Sequence, residues 1–425
     1  MPSRFRAGLL IGTWLLSACD AGTEPPVNPA ISVTAAPADQ TVVAGQTATF
    51  SVTANSSSML SYQWQKNETD IPGATSSAYV TPAADTSADN SQFAVRISAG
   101  TSSVTTTPAT LHVFSDTAIP VPTEYAVDPA VTDSAIDLPQ GFHYASINTA
   151  VTPKGRLFVF MPGTGGVPSV YRLIVQAAAN NGFHAIGLAY ENAISVVDLC
   201  STSPGSTDPD CAGRVREERF SGQDISPLII VDPPNGIQNR LTKALVYLAQ
   251  QHPQDGWGQF LDDSGTILWD RVRLSGHSQG GGMAGYIAKQ KQRVDHVCFF
   301  ASPGDVNYVV VGQLASWVLA PGNLTPAASY FGFSHQRDGM LPWTLAQREW
   351  SALGMAAFGL PVDVDDVALP FNQSHMLSSN LDKPSSVTEP DAQYYHGTPV
   401  RDLFTPLDGN GLPTYRQVWQ YQCFL

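Results

Sequence analysis

The chain has few basic residues and no basic block. Lysine and arginine together number 22, against 36 aspartate and glutamate residues, which gives a formal net charge of −14. Proteins that bind nucleic acid usually present a basic surface or a run of basic residues to the phosphate backbone. We therefore do not expect nucleic acid to be a partner.

Long hydrophobic runs are also missing, apart from a short one at the N-terminus. Residues 7–16 are apolar, follow Arg4 and Arg6, and precede small residues and Cys19. This order is typical of a secretory signal and is too short for a good membrane-spanning helix. The segment LSAC resembles a bacterial lipobox, which implies a signal peptide at residues 1–18 and lipidation of Cys19. The Pro-containing residues 19–29 are interpreted as a tether. An ordinary signal peptide with an incidental cysteine is the alternative.

This resemblance predicts an exported lipoprotein that is anchored to a membrane of the cell envelope, on the periplasmic or extracellular face.

Cysteine is scarce, with five residues in all. Because an exported protein meets an oxidising environment, disulfides are allowed. Cys200 and Cys211 flank a turn-rich loop and are expected to pair with each other. The pairing of Cys298 and Cys423 stays open.

Residues 30–114 contain short alternating apolar segments separated by turn residues, which is typical of an all-β sandwich. Trp64 in YQWQ and Phe93 in SQFAVRI resemble core residues of immunoglobulin-like domains. In that resemblance Val52 and Val95 stand where the family often carries cysteines, so the domain is expected to lack that disulfide. It is interpreted as a spacer or as a contact with a surface or polymer, and residues 115–135 are interpreted as a linker.

Residues 136–425 alternate between strand-like and helix-like segments. Strongly apolar strands are predicted at GRLFVFMP, FHAIGLAY, RVRLS, HVCFFAS and ASYFGF, with a weaker strand at residues 361–364. Helices are predicted at residues 167–180, 237–251 and 283–291. This alternation predicts a mostly parallel sheet with helices on both faces.

The segment GHSQG lies at a predicted junction between a strand and a helix. Ligand sites of parallel sheets lie at the carboxyl ends of their strands, where Ser278 would stand. Gly276 and Gly280 would relieve crowding in a sharp turn, and the N–H of Gln279 would open the helix. This segment resembles the nucleophile elbow of the α/β-hydrolase superfamily. The resemblance implies an α/β-hydrolase sheet over residues 136–425 with Ser278 as nucleophile.

In that superfamily the catalytic acid usually follows the seventh strand and the histidine follows the eighth. Asp338 lies in the loop after ASYFGF, and His375 lies in a loop after the weak strand at residues 361–364. The resemblance therefore implies a triad of Ser278, Asp338 and His375. Asp305, after the sixth strand, is an alternative acid, and it could act with His335.

His396, in YYHGTP, is a further candidate for the histidine. The backbone N–H of Gln279 is expected to be one oxyanion donor. The second donor is expected from the glycine-rich loop PGTGG, with Thr164 first and Gly163 next. A phosphate-binding loop is the alternative for this segment, but the lysine and Ser/Thr that end a P-loop are missing.

These residues together predict a serine esterase or lipase-like enzyme that cleaves carboxylic esters through an acyl-enzyme and needs no cofactor or metal. The substrate could be a small molecule or a polymer. A peptidase or an acyltransferase would use the same residues. An alternative of another class is a surface binding or adhesion lipoprotein built on an inactive hydrolase scaffold.

Overall fold

The computed structural model describes residues 30–114, 121–138, 140–409 and 411–425. The predicted signal peptide, Cys19 and the tether lie outside these residues. The chain forms two compact units, one built from residues 30–40, 47–84 and 88–111, the other from 112–425 with the short segments 41–46 and 85–87. In the described part of the chain, no helix is long and apolar enough to cross a membrane.

Ten strands lie between residues 30 and 114. They are β1 (Ser32–Ala35), β2 (Gln40–Val43), β3 (Thr49–Ser51), β4 (Thr53–Asn55), β5 (Ser61–Lys66), β6 (Thr69–Asp70), β7 (Ala78–Val80), β8 (Ser91–Ala99), β9 (Ser102–Thr105) and β10 (Ala109–Phe114). One sheet has the order β2-β10-β8-β5-β6, with β9 paired to β8, and two-stranded sheets pair β1 with β4 and β3 with β7. This segment is all-β, as the alternating pattern predicted.

Apolar side chains of this segment form one aromatic core. Trp64 is fully buried, and its ring lies 6.3 Å from that of Phe50, which stacks on Phe93 at 4.5 Å between centroids. Val52 and Val95 are both buried. The alternation therefore predicted the inward faces of these strands correctly.

The second unit contains a nine-stranded mixed sheet. Its strands are β11 (Thr123–Val127), β12 (His143–Ile147), β13 (Leu157–Met161), β14 (His184–Gly187), β15 (Val272–His277), β16 (His296–Phe300), β17 (Tyr330–His335), β18 (Val362–Asp363) and β19 (Met376–Ser379). The order is β11-β12-β14-β13-β15-β16-β17-β19-β18. β12 is antiparallel to both neighbours, and the pairs from β14 to β18 are parallel.

Helices cover both faces of this sheet. They are α1 (Pro129–Thr132), α2 (Arg172–Asn180), α3 (Val196–Ser201), α4 (Cys211–Ser221), α5 (Ile237–Gln251), α6 (Gln279–Tyr286), α7 (Ser316–Leu319), α8 (Trp343–Ala352), α9 (Asp391–Gly397) and α10 (Arg416–Trp419). Successive residues of β13 alternate between two buried clusters. Val159 packs in the cluster of α4, α5, α6 and α8, and Phe160 packs in that of α2 and α10.

Three features differ from the sequence prediction. β11 and α1 fall inside the predicted linker of residues 115–135, and β11 pairs with β12, so the sheet begins before residue 136. β12 had no predicted counterpart. β19 was also missed, although it lies between β17 and β18. The predicted strand at residues 361–364 is β18, the short edge strand.

Two disulfides join segments of the second unit. Cys200 pairs with Cys211 across 11 positions, as the flanking loop predicted. Cys298 of β16 pairs with Cys423 near the C-terminus, and their Cα atoms are 5.7 Å apart. The second bond ties the C-terminal segment to a central strand.

Candidate active site

Ser278 stands in a strained turn between β15 and α6. Its backbone has φ 53° and ψ −122°, a region that side-chain-bearing residues rarely adopt and that costs about 1–3 kcal/mol. The N–H of Ser278 donates to the carbonyl of Phe300 at 2.9 Å. A Cβ at Gly280 would overlap the carbonyl of Met161, so only glycine allows the helix to approach the sheet here.

Asp338 and His396 meet at the same edge of the sheet. Nδ1 of His396 lies 2.7 Å from Oδ2 of Asp338. The other carboxylate oxygen accepts the N–H groups of Met340 and Leu341 at 2.8 and 2.9 Å. Because the carboxylate can only accept, it holds the proton of His396 on Nδ1 and leaves Nε2 as an acceptor. Among the described residues Nε2 has no hydrogen-bond partner.

Ser278 and His396 both line a cavity of about 660 Å³. His396 lies on α9, which follows β19, and Asp338 follows β17. The carboxyl ends of these parallel strands place the loops that follow them beside the turn after β15. A hydroxyl, an imidazole and a carboxylate therefore converge at one edge of the sheet.

His375 requires a correction, because the structure places it at the opposite edge of the sheet. It immediately precedes β19, and its Nδ1 lies 3.0 Å from the carbonyl of Tyr330, the first residue of β17. Its ring stacks between those of Phe331 and Phe358, and burial lowers its pKa to about 4. It does not line the cavity, whereas His396 does. Recognition of MLSS as a strand would have indicated this.

The alternative acid Asp305 lines the cavity, but its carboxylate forms an ion pair with Arg216. Its two carboxylate oxygens accept from Nε and Nη2 of Arg216 at 2.5 and 2.6 Å, and Trp317 donates to it at 2.6 Å. Both partners of the ion pair are about 1% exposed. The ring of His335 stacks on that of Tyr395, and its Nε2 lies 2.9 Å from the carbonyl of Leu381. The structure therefore does not bring Asp305 and His335 together as an acid and base.

The two expected oxyanion donors lie in the same cavity. Thr164 and Gln279 both line it, and the N–H of neither has a hydrogen-bond partner in the described part of the chain. Gly165 and Gly166, by contrast, donate to the carbonyls of Asn192 and Gly163. The side-chain oxygen of Gln279 accepts from Val196 and Arg219, so this side chain is structural.

His277 connects the glycine-rich loop to the segment that carries His396. Nε2 of His277 lies 2.8 Å from the backbone carbonyl oxygen of His396. Because a carbonyl oxygen can only accept a hydrogen bond, Nε2 of His277 carries a proton. Burial lowers the pKa of His277 well below its usual range, and the ring is neutral. Nδ1 therefore accepts from the hydroxyl of Tyr171 at 2.9 Å, and that oxygen in turn accepts the N–H of Gly163 at 3.4 Å.

One wall of the cavity comes from the long segment between β14 and α5. Val196 and Val197 of α3, together with Arg216 of α4, line it. The Cys200–Cys211 bond joins these two helices.

Within the described ranges, no group of three or more His, Cys, Asp or Glu side chains is arranged to hold a metal ion.

Comparisons with known proteins reach only part of the chain. No protein-family model and no curated protein matches. Among solved structures the chain is similar to tandem immunoglobulin repeats of Dlar (12% identity, TM-score 0.19, 20% of this chain and 48% of that one). It is also similar to immunoglobulin domains 1–4 of Sidekick-1 (16% identity, TM-score 0.19, 33% of this chain and 31% of that one). A third similar structure is titin domain M7 (18% identity, TM-score 0.19, 21% of this chain and 99% of that one). The chain spans about half the length of the Dlar repeats. These neighbours are immunoglobulin-like domains, and at such scores they carry no argument about function.

Proposed function

We propose that this protein is a serine hydrolase of the α/β-hydrolase superfamily that cleaves carboxylic esters through an acyl-enzyme on Ser278. The observation that carries the proposal is the Asp338–His396 hydrogen bond of 2.7 Å in the cavity that Ser278 lines. The strained turn at Ser278 supports it, because such strain persists where the surroundings enforce it and is common at active sites. The triad of this proposal is Ser278, His396 and Asp338.

In the proposed reaction, Nε2 of His396 removes the hydroxyl proton as Oγ of Ser278 attacks the ester carbonyl. Asp338 stabilises the imidazolium that forms and keeps Nδ1 protonated. The N–H groups of Thr164 and Gln279 bind the oxyanion. His396 then gives its proton to the leaving alcohol as the C–O bond breaks. Water attacks the acyl-enzyme with the same base, which releases the acid and restores Ser278.

The test uses the protein without residues 1–18 on p-nitrophenyl esters of two to sixteen carbons. We expect hydrolysis, and we expect Ser278→Ala to reduce it by about 10³-fold or more while circular dichroism and the thermal midpoint stay close to those of the parent. Ser275→Ala is a matched control, because Ser275 lies in the same strand and its hydroxyl donates to the carbonyl of Cys298. Failure of the parent both to hydrolyse these esters and to react with a fluorophosphonate probe would refute the proposal.

We also propose export and lipid anchoring at Cys19, which rest on the sequence alone. Expression in a bacterium fed radiolabelled palmitate should label the parent chain and not Cys19→Ala. An unlabelled parent that is nevertheless cleaved and exported would indicate an ordinary signal peptide.

A further inference from the structure

Among the described residues, two guanidinium groups line the cavity, and a carboxylate neutralises one of them. Arg216 is held by both oxygens of Asp305. Arg401, four residues after the end of α9, also lines the cavity, but its side chain makes no hydrogen bond and no ion pair with any residue in the described ranges. Its Nε is buried without a partner. Its guanidinium group lies over the ring of Phe404, with Cζ 5.1 Å from the ring centroid.

We propose that Arg401 forms a subsite for a monoanionic group, a carboxylate or a phosphodiester, at the far end of the ester substrate. The proposal rests on the proposed function, since it assigns the substrate class of the same cavity. A guanidinium pairs with planar oxyanions through two parallel hydrogen bonds, and it keeps its charge at all physiological pH values.

The carboxylates near the cavity are occupied by other groups. Asp402, next to Arg401, accepts the backbone N–H groups of Arg172 and Leu173. Asp338 is bound to His396, and Asp198 accepts from the hydroxyl of Ser195 at 2.7 Å. An unpaired cation thus remains in the cavity of an acidic chain, where a substrate anion would neutralise it.

The backbone of Arg401 is anchored beside the proposed base. Its N–H donates to the carbonyl of Gly397 at 2.8 Å, and Gly397 directly follows His396. Apolar side chains also line the cavity, among them Val196, Val197, Met340 and Leu341. This combination fits an ester with an apolar chain and an anionic end better than a neutral ester.

The test compares mono-4-nitrophenyl suberate with 4-nitrophenyl octanoate, which match in chain length and differ in the terminal carboxylate. We expect the parent to prefer the suberate in kcat/KM by about tenfold or more, because charge-assisted hydrogen bonds are the strong ones. Arg401→Gln should remove the preference and leave the octanoate rate within about threefold. Arg401→Lys should keep part of it. Arg337→Gln, at an exposed arginine paired with Asp382, is the control.

A binding measurement separates this proposal from the catalytic one. Ser278→Ala should bind monomethyl suberate in isothermal titration, and Ser278→Ala with Arg401→Gln should bind it at least about tenfold more weakly. Dihexanoyl phosphatidylglycerol in place of the suberate ester tells whether a phosphodiester is the preferred anion. Equal binding by both variants, no binding by either, or an equal loss of suberate and octanoate hydrolysis in Arg401→Gln would overturn the subsite. Absence of turnover with intact, Arg401-dependent binding would overturn only the esterase.

Discussion

Nδ1 of His396 and Oδ2 of Asp338 are 2.7 Å apart, although 58 positions separate the two residues in the chain. The pair joins the loop after β17 to α9 and orients the imidazole at the cavity. A histidine held in this way has one ring nitrogen fixed as a donor and the other available as a base. The exposed fraction of the Asp338 side chain is 0%, so water does not compete for this bond.

Mutation can distinguish His396, the base of the proposed triad, from His375, the base that the resemblance implied. We expect His396→Ala to lower kcat for ester hydrolysis by about 10³-fold or more, because the serine loses its proton acceptor. His375→Ala should leave kcat within about fivefold, and it should lower the free energy of unfolding by about 0.5–3 kcal/mol, because a ring stacked between two phenylalanines is removed. Steady-state kinetics and urea unfolding of both variants measure this. A larger kcat loss in His375→Ala would contradict the placement of the base.

Tyr171→Phe tests the connection through His277. The change removes the hydroxyl that donates to Nδ1 of His277 and accepts from Gly163. We expect kcat to fall by about 5- to 50-fold with little change in KM. The reason is that Gly163 loses its hydrogen bond to Tyr171, and His277, which binds the backbone of His396, loses the donor to its Nδ1. The free energy of unfolding should fall by about 1–2 kcal/mol. Tyr286→Phe, whose hydroxyl donates to Glu217 at 2.8 Å, is the control and should show no comparable kcat loss.

Glu349 predicts a particular pH dependence of stability. Its carboxyl group is fully buried and accepts the N–H groups of Gly304 and Asp305, and burial, followed by the charge of Asp305, raises its pKa to about 8. Between pH 4.5 and 8 the folded state therefore holds one proton more than the unfolded state, so this group's contribution to stability falls as pH rises across that window. The contribution of Glu349 to stability is full below pH 4.5, and above pH 8 it stays constant at its lowest value.

Glu349→Gln removes this titration. The stability difference, parent minus variant, should decrease from pH 5 to pH 8 in urea unfolding experiments. Parallel curves across that range would show that the Glu349 carboxyl group is not kept neutral by the fold.

The Cys200–Cys211 bond should support the wall of the cavity. Changing both cysteines to alanine should lower the free energy of unfolding by about 2–4 kcal/mol, the usual effect of losing a disulfide. Because α3 and α4 carry Val197 and Arg216, we also expect KM for ester substrates to rise. Urea unfolding and kinetics of the double variant measure both effects. An unchanged KM would mean that helix packing alone holds this wall.

Local sequence was sufficient for the features that depend on neighbouring residues. The helix predicted at residues 237–251 is α5 with the same bounds. The strand, turn and helix around Ser278 follow from a short segment in which glycines permit close approach, and the structure has them in that place. Asp338 was also identified correctly as a residue of the loop after β17, because ASYFGF is a strongly apolar strand.

The position of His375 relative to the sheet was predicted wrongly because β19 has a weak sequence signal. It is four residues long and ends in two serines, yet it is fully buried between β17 and β18. The edge segment at residues 361–364 shows the more obvious strand pattern, so the sequence predicts it as the last strand. By that prediction His375 follows the last strand, whereas in the sheet it directly precedes β19.

The sequence by itself determined the all-β segment, the alternation of strands and helices, and the turn at Ser278, since these depend on residues within about ten positions of one another. Only the tertiary structure decided which histidine meets Asp338, that Asp305 pairs with Arg216, and that Arg401 has no hydrogen-bond or ion-pair partner among the described side chains. These relationships join residues tens of positions apart in the chain. They depend on strand order, which brings distant loops to one edge of the sheet.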